Sequence, residues 1–137
     1  MSNTRIIEVE GIGPVYAATL KDKAGITTTE GLLKACKTAK DREALAAKTG
    51  LSHKQILEWA NRADLFRIKG VGSEYSDLLE AGGVDTVVEL GKRNAENLTA
   101  QLKTTNDAKK LVRRVPNLTE VTSWVAQAKK MARALEY

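Results

Sequence analysis

The chain has 137 residues, 42% of them apolar and 28% charged, which is ordinary globular usage and enough to bury an apolar core without disulfide staples. Its 22 Lys and Arg against 17 Asp and Glu leave a net charge of +5, a balance that points towards polyanionic partners. One cysteine, Cys36, and one histidine, His53, exclude an internal disulfide and a structural Cys/His zinc site, and aromatic residues at 4% argue against base stacking as the main mode of contact. No metal and no cofactor is expected. Residues 1–5 lack the basic start and apolar core of a secretory signal, and no apolar run approaches about 18 residues, so the expectation is a cytoplasmic chain without membrane contact.

The sequence is written twice. Ile6-Ile7-Glu8-Val9-Glu10-Gly11-Ile12-Gly13 matches Leu65-Phe66-Arg67-Ile68-Lys69-Gly70-Val71-Gly72 at an offset of 59 residues, and Tyr16 with Tyr75 and Leu20 with Leu79 keep that offset. Gly25-Ile26-Thr27-Thr28 then aligns with Gly83-Val84-Asp85-Thr86 at an offset of 58, and Trp59 with Trp124 at 65. Two units are expected, 1–64 and 65–137, with no Pro/Ser-rich linker between them and hence packed together.

In chain order, every element reads as helix, because apolar residues recur at the 3.6-residue period and strand-like alternation is absent. Pro14 opens the first long helix and Gly25 stops it. Thr27-Thr28-Thr29-Glu30 and Ser52-His53-Lys54-Gln55 each fit a capping box, with Leu32, Leu33 and Cys36 inward after the first. Leu45 and Ala46 form a stripe ended by Gly50, and Ile56, Trp59, Ala60 and Ala63 face the core from the longest helix of the first unit. The second unit predicts helices over 75–81, 86–92 and 96–103, a short basic helix near 108–114, and a last one over 118–134. Val115-Pro116 separates the last two, since the residue before proline disfavours helix. About ten short helices result, five per unit. Cys36 on an apolar face reads as a small buried hydrophobe and His53 as a solvated first-turn residue, and neither suggests a dyad. Trp59, Trp124, Tyr16 and Tyr75 read as packing residues; Tyr137 carries no signal.

The informative signal is Gly11-Ile12-Gly13 and Gly70-Val71-Gly72, each set between a short apolar segment and an apolar-periodic helix. Glycines at this spacing allow a tight turn with positive φ, and the residue between them plugs the core. The amides that open the next helix point outward unpaired and, with its dipole, suit a phosphate. The pattern of Ile6, Val9, Gly11, Ile12, Gly13 and Ala17, repeated as Leu65, Ile68, Gly70, Val71, Gly72 and Ser76, resembles the helix-hairpin-helix family. Residues 48–52 and 114–118 look like degenerate second hairpins, and the whole chain is similar to an uncharacterised domain-of-unknown-function family of tandem helix-hairpin-helix units.

The resemblance implies an all-α fold of two tandem helix-hairpin-helix modules and hairpin amides that hold a backbone phosphate without reading sequence. Carried over, the donors are Gly11, Gly13, Val15 and Tyr16, then Gly70, Gly72, Glu74 and Tyr75, with Val71 as the plug of the second turn. Two departures matter: neither turn is followed by a basic residue, and Glu8, Glu10 and Glu74 flank the donors, whereas Arg67 and Lys69 precede only the second turn. The cationic excess falls late in the chain, where Lys109-Lys110 and Arg113-Arg114 stand four residues apart and are expected to share a helix face. The first expectation is a non-enzymatic module that binds nucleic acid, DNA foremost, through Gly70, Val71, Gly72, Arg67, Lys69, Lys109, Lys110, Arg113, Arg114, Gly11 and Gly13. The alternative is a protein-interaction or self-associating scaffold that kept the fold without the phosphate contacts. A base-excising enzyme is set aside, because the chain is short for a base-flipping pocket and carries no convergent acid/base pair.

Overall fold

The computed structural model describes residues 4–137. Among these, a 3-10 turn at Ile6–Glu8 precedes eight helices: α1 (Pro14–Ala24), α2 (Thr29–Ala35), α3 (Ala39–Thr49), α4 (His53–Leu65), α5 (Ser73–Ala81), α6 (Val87–Gly91), α7 (Ala95–Lys109) and α8 (Leu118–Lys130). The only β feature among them is an isolated bridge between Arg5 and Thr28. No helix among the described residues is long and apolar enough to cross a membrane.

Local chemistry accounts for the helix ends. Pro14 stands at the first position of α1, where its missing N–H costs nothing, and Gly25 and Gly50 end α1 and α3 in the left-handed conformation. Ser52 and Gln55 form the expected capping box at α4. At α2 the cap is Thr28, whose hydroxyl accepts from the Gly31 amide, one residue later than the Thr27 box the sequence suggested. The final helix stops at Lys130, four residues short of expectation, because Met131 is already extended.

The expected basic helix over 108–114 does not form. α7 runs on to Lys109, Lys110 caps it at φ 52° and ψ 51°, and residues 110–117 are non-helical. Lys110 is the one non-glycine residue with positive φ among those described. Asn106 holds the turn, accepting from the Leu111 and Val112 amides at 2.8 and 2.9 Å and donating to the Val112 carbonyl at 3.1 Å. A polar side chain reaching past its own helix end therefore overrides the continued periodicity. Lys109-Lys110 and Arg113-Arg114 accordingly share no helix face.

Helix packing repeats along the chain. α1 meets α3, α2 meets α4 and α3 meets α4; four helices on, α5 meets α7, α6 meets α8 and α7 meets α8. One cluster of buried side chains gathers Ile12, Leu20, Leu32, Ile56 and Trp59, and a second gathers Val71, Leu79, Leu90, Leu102 and Trp124. The clusters interlock at the end of α4: Leu65 belongs to the second and Phe66 to the first. Arg62 on α4 ties the junction further, standing 2.8 Å from Asp77 and 2.6 Å from Glu80 on α5. Burial pushes the Glu80 carboxyl up, against the pull of Arg62.

Candidate functional site

The two glycine turns share one hydrogen-bond scheme. Val9 donates to the Ile6 carbonyl and Ile12 to that of Val9; 59 residues on, Ile68 donates to Leu65 and Val71 to Ile68. Ile12 and Val71 are both buried, as plugs of their turns. Gly11 and Gly70 have φ of 92° and 98°, and a Cβ there would lie 3.3 and 3.1 Å from Nε1 of Trp59 and Trp124. Each tryptophan also tilts against a tyrosine, Tyr16 on Trp59 at 5.1 Å between ring centroids and Tyr75 on Trp124 at 5.2 Å. The backbone of each turn thus rests on an indole, which explains why the tryptophans recur at matched positions.

The second glycine of each turn is different. Gly13 and Gly72 have extended dihedrals that any residue adopts, and a Cβ on either meets nothing within 4 Å. They are also the N-caps of α1 and α5, neither of which has a side-chain cap. The other six helices are all capped by a hydroxyl or an amide, from Thr28, Thr38, Ser52, Thr86, Asn94 and Asn117. At α5 the amides of Gly72, Ser73, Glu74 and Tyr75 find no acceptor among the described residues; at α1 those of Gly13, Val15 and Tyr16 find none.

The cationic residues are distributed unevenly around these openings. Arg67 turns inward: its Nε and Nη2 bind Asp64 Oδ1 at 2.9 and 2.6 Å, and its Nη1 donates to the Ala132 carbonyl. Lys69 leaves its side chain exposed while Gln127 clamps its backbone, accepting from the amide at 2.8 Å and donating to the carbonyl at 3.2 Å. Lys109 and Lys110 end α7, where a positive charge complements the helix dipole, and Arg113 is exposed on the following loop. Arg114 is tied to α5 by its backbone, because the Tyr75 hydroxyl donates to its carbonyl at 2.9 Å. Its guanidinium forms two parallel bonds with Glu120, at 2.7 and 2.9 Å. Arg114 is therefore linked to the first turn of α5 through Tyr75, whereas Arg67 belongs to a network with Asp64 and Ala132. Gln127 and Asn106, which set the turn and the loop, had no signal in the sequence beyond their types.

Bonds from Arg114, then from the Asn117 amide, hold the Glu120 carboxyl at about 2, and the same pair raises Arg114. Because the folded value lies below the usual carboxylate range, the favourable contribution is complete above pH about 4.5 and is lost as pH falls towards 2. Carbon-detected NMR titration should give Glu120 a midpoint near 2, and Arg114→Ala should return it towards 4.5. Burial pushes the Cys36 thiol up to about 12, and His53 is exposed at the start of α4, so the pair forms no nucleophilic site. Among the described residues no cluster of three His, Cys, Asp or Glu could hold a metal ion.

Fold and site define an all-helical protein with a duplicated turn, each copy seated on a tryptophan and opening on an uncapped helix. Residues 10–131 match DUF4332, a domain of unknown function, and the chain belongs to that family. No curated protein and no solved structure matches it.

Proposed function

We propose that the chain is a non-enzymatic tandem helix-hairpin-helix protein, with units 1–64 and 65–137, that binds nucleic acid, DNA foremost, through backbone phosphates and without strong sequence preference. The carrying observation is that α1 and α5 alone among the eight helices lack a side-chain cap, behind glycines whose dihedrals and surroundings would accommodate a Cβ. Internal packing gives no reason for Gly13 and Gly72 to be glycine, whereas a phosphate oxygen seated on the amides would need that space. The net charge of +5 and the exposed side chains of Lys69 and Arg113 favour the same ligand. The α5 opening is the stronger of the two, since α1 lacks a donor at Pro14 and follows Glu8 and Glu10.

Fluorescence anisotropy with a short labelled duplex and its single strand across a salt series tests this reading. The expected result is a Kd between about 1 and 100 μM that weakens steeply with salt, as phosphate contacts release counterions. Lys109/Lys110/Arg113/Arg114→Ala should flatten that salt slope. Absence of binding at low salt, or an affinity indifferent to salt, would overturn it. A second reading, a protein-docking module, is favoured by the first turn of α1, where Val15 is 77% exposed beside the partly exposed Tyr16. A partner whose affinity survives the fourfold alanine variant would select it.

A further inference from the structure

Past the end of α8 the chain does something that neither the turns nor the family match requires. From Met131, which still packs against the second cluster, the chain crosses back to the first, to which Leu135, 2% exposed, belongs. The Glu136 amide donates to the Lys37 carbonyl at 2.7 Å, and Lys37 Nζ stands 3.8 Å from the Glu136 carboxylate. The Tyr137 hydroxyl donates to Asn61 Oδ1 on α4.

The receiving side is built around Arg42 of α3, which is 2% exposed and makes no ion pair among the described residues. Its Nη1 donates to the Cys36 carbonyl at 2.8 Å and its Nη2 to the Glu136 carbonyl at 2.9 Å, its guanidinium carbon lies 5.3 Å from the Tyr137 ring centroid, and its Nε has no partner. The strap of residues 131–137 thus supplies the Arg42 slot with a carbonyl acceptor and an aromatic face, a pair of contacts matched to a guanidinium. The matched family segment ends at residue 131, so the slot lies inside it and nearly all of the strap outside.

We propose that this slot is a peptide-binding site for an extended apolar–acidic–aromatic segment, filled in cis by residues 131–137 and able to take the same segment from a second copy of the chain. The contacts are identical in cis and in trans, and the connection from the end of α8 at Lys130 to Leu135 is short and non-helical, so exchange costs little beyond association. The tether keeps the cis strap at an effective concentration of the order of millimolar, so exchange emerges when the cis strap is disabled or the chain is concentrated. This inference is independent of the nucleic-acid reading.

Two variants of the 137-residue chain test it. Leu135→Asp ejects the strap and leaves the slot intact; Arg42→Met disables the slot, keeps its volume and leaves the strap intact. Each is first checked for helicity by circular dichroism, with Leu135→Ala and Arg42→Lys as milder substitutes should either unfold. Sedimentation of the mixture should reveal a one-to-one complex that neither variant forms alone. A synthetic peptide of residues 131–137 should dissolve that complex and raise the melting temperature of the Leu135→Asp chain, but not that of Arg42→Met. A mixture that stays monomeric while the peptide leaves both melting temperatures unchanged would overturn the proposal. So would a complex indifferent to the peptide, since association would then lie elsewhere.

Discussion

Replacing Asp64 with alanine is expected to lower the free energy of unfolding by about 3 kcal/mol, a large part of the roughly 5–15 kcal/mol typical of a folded chain. Asp64 is 2% exposed at the end of α4, and both its oxygens are used. Oδ1 takes two bonds from Arg67, and Oδ2 accepts from the Val87 amide that opens α6 at 2.8 Å. Removing the carboxylate leaves the Arg67 guanidinium with the Ala132 carbonyl as its one remaining acceptor among the described residues, and the buried helix-start amide of Val87 with none. Asp64→Asn keeps an acceptor for Val87 but turns an amide NH2 towards the Arg67 donors, so it loses the charge and both Arg67 bonds, and about 1–2 kcal/mol is expected. Urea denaturation reads both; the midpoint should fall with little change in slope, because the surface exposed on unfolding is the same. A loss below about 1 kcal/mol for alanine would show that water replaces the carboxylate at this junction.

Gly70→Ala and Gly72→Ala should part company, although the two glycines are separated by one residue. At Gly70 the backbone lies at φ 98°, and the new Cβ would press on Trp124 Nε1 at 3.1 Å. Strain in that region together with displacement of a packed indole is expected to cost about 2–4 kcal/mol. At Gly72 the dihedrals are ordinary and the Cβ enters open space, so stability should stay within about 0.5 kcal/mol. Its effect should appear in binding: a methyl over the α5 amides would weaken phosphate affinity about tenfold, or ~1.4 kcal/mol. Equal melting temperatures for Gly72→Ala and the parent, with anisotropy curves displaced, is the expected pattern. An unchanged binding curve would remove the amides of α5 from the proposed interface.

The repeat at offset 59 was legible because it consists of residues whose backbone or packing role admits few substitutes: a glycine over an indole, an apolar plug, a tyrosine beside a tryptophan. Gly25 and Gly50 marked helix ends correctly because the left-handed conformation favours glycine. Lys110 adopts the same conformation with no such mark, since Asn106 and the packing of α7 impose it. That is why the basic run read as helix and was not. Arg67 illustrates the parallel limit for the site: a cation beside a turn reads as a phosphate ligand until a buried carboxylate three residues earlier is seen to occupy it. Tyr137 carried no signal, yet its ring lies under Arg42 and burial pushes its hydroxyl up to about 12.

The all-helical class, most of the helix ends, the doubled turn and the buried face of each long helix follow from local preference and periodicity, which act within one or two turns of chain and are therefore written in neighbouring residues. Which charges remain free, how the two clusters interlock at Leu65 and Phe66, and where residues 131–137 come to rest depend on partners up to 94 residues away, as Arg42 and Glu136 are. Such pairings are selected by burial, because a cation removed from water takes whichever carbonyl or carboxylate the packed chain brings to it. No residue announces that choice before the chain has folded.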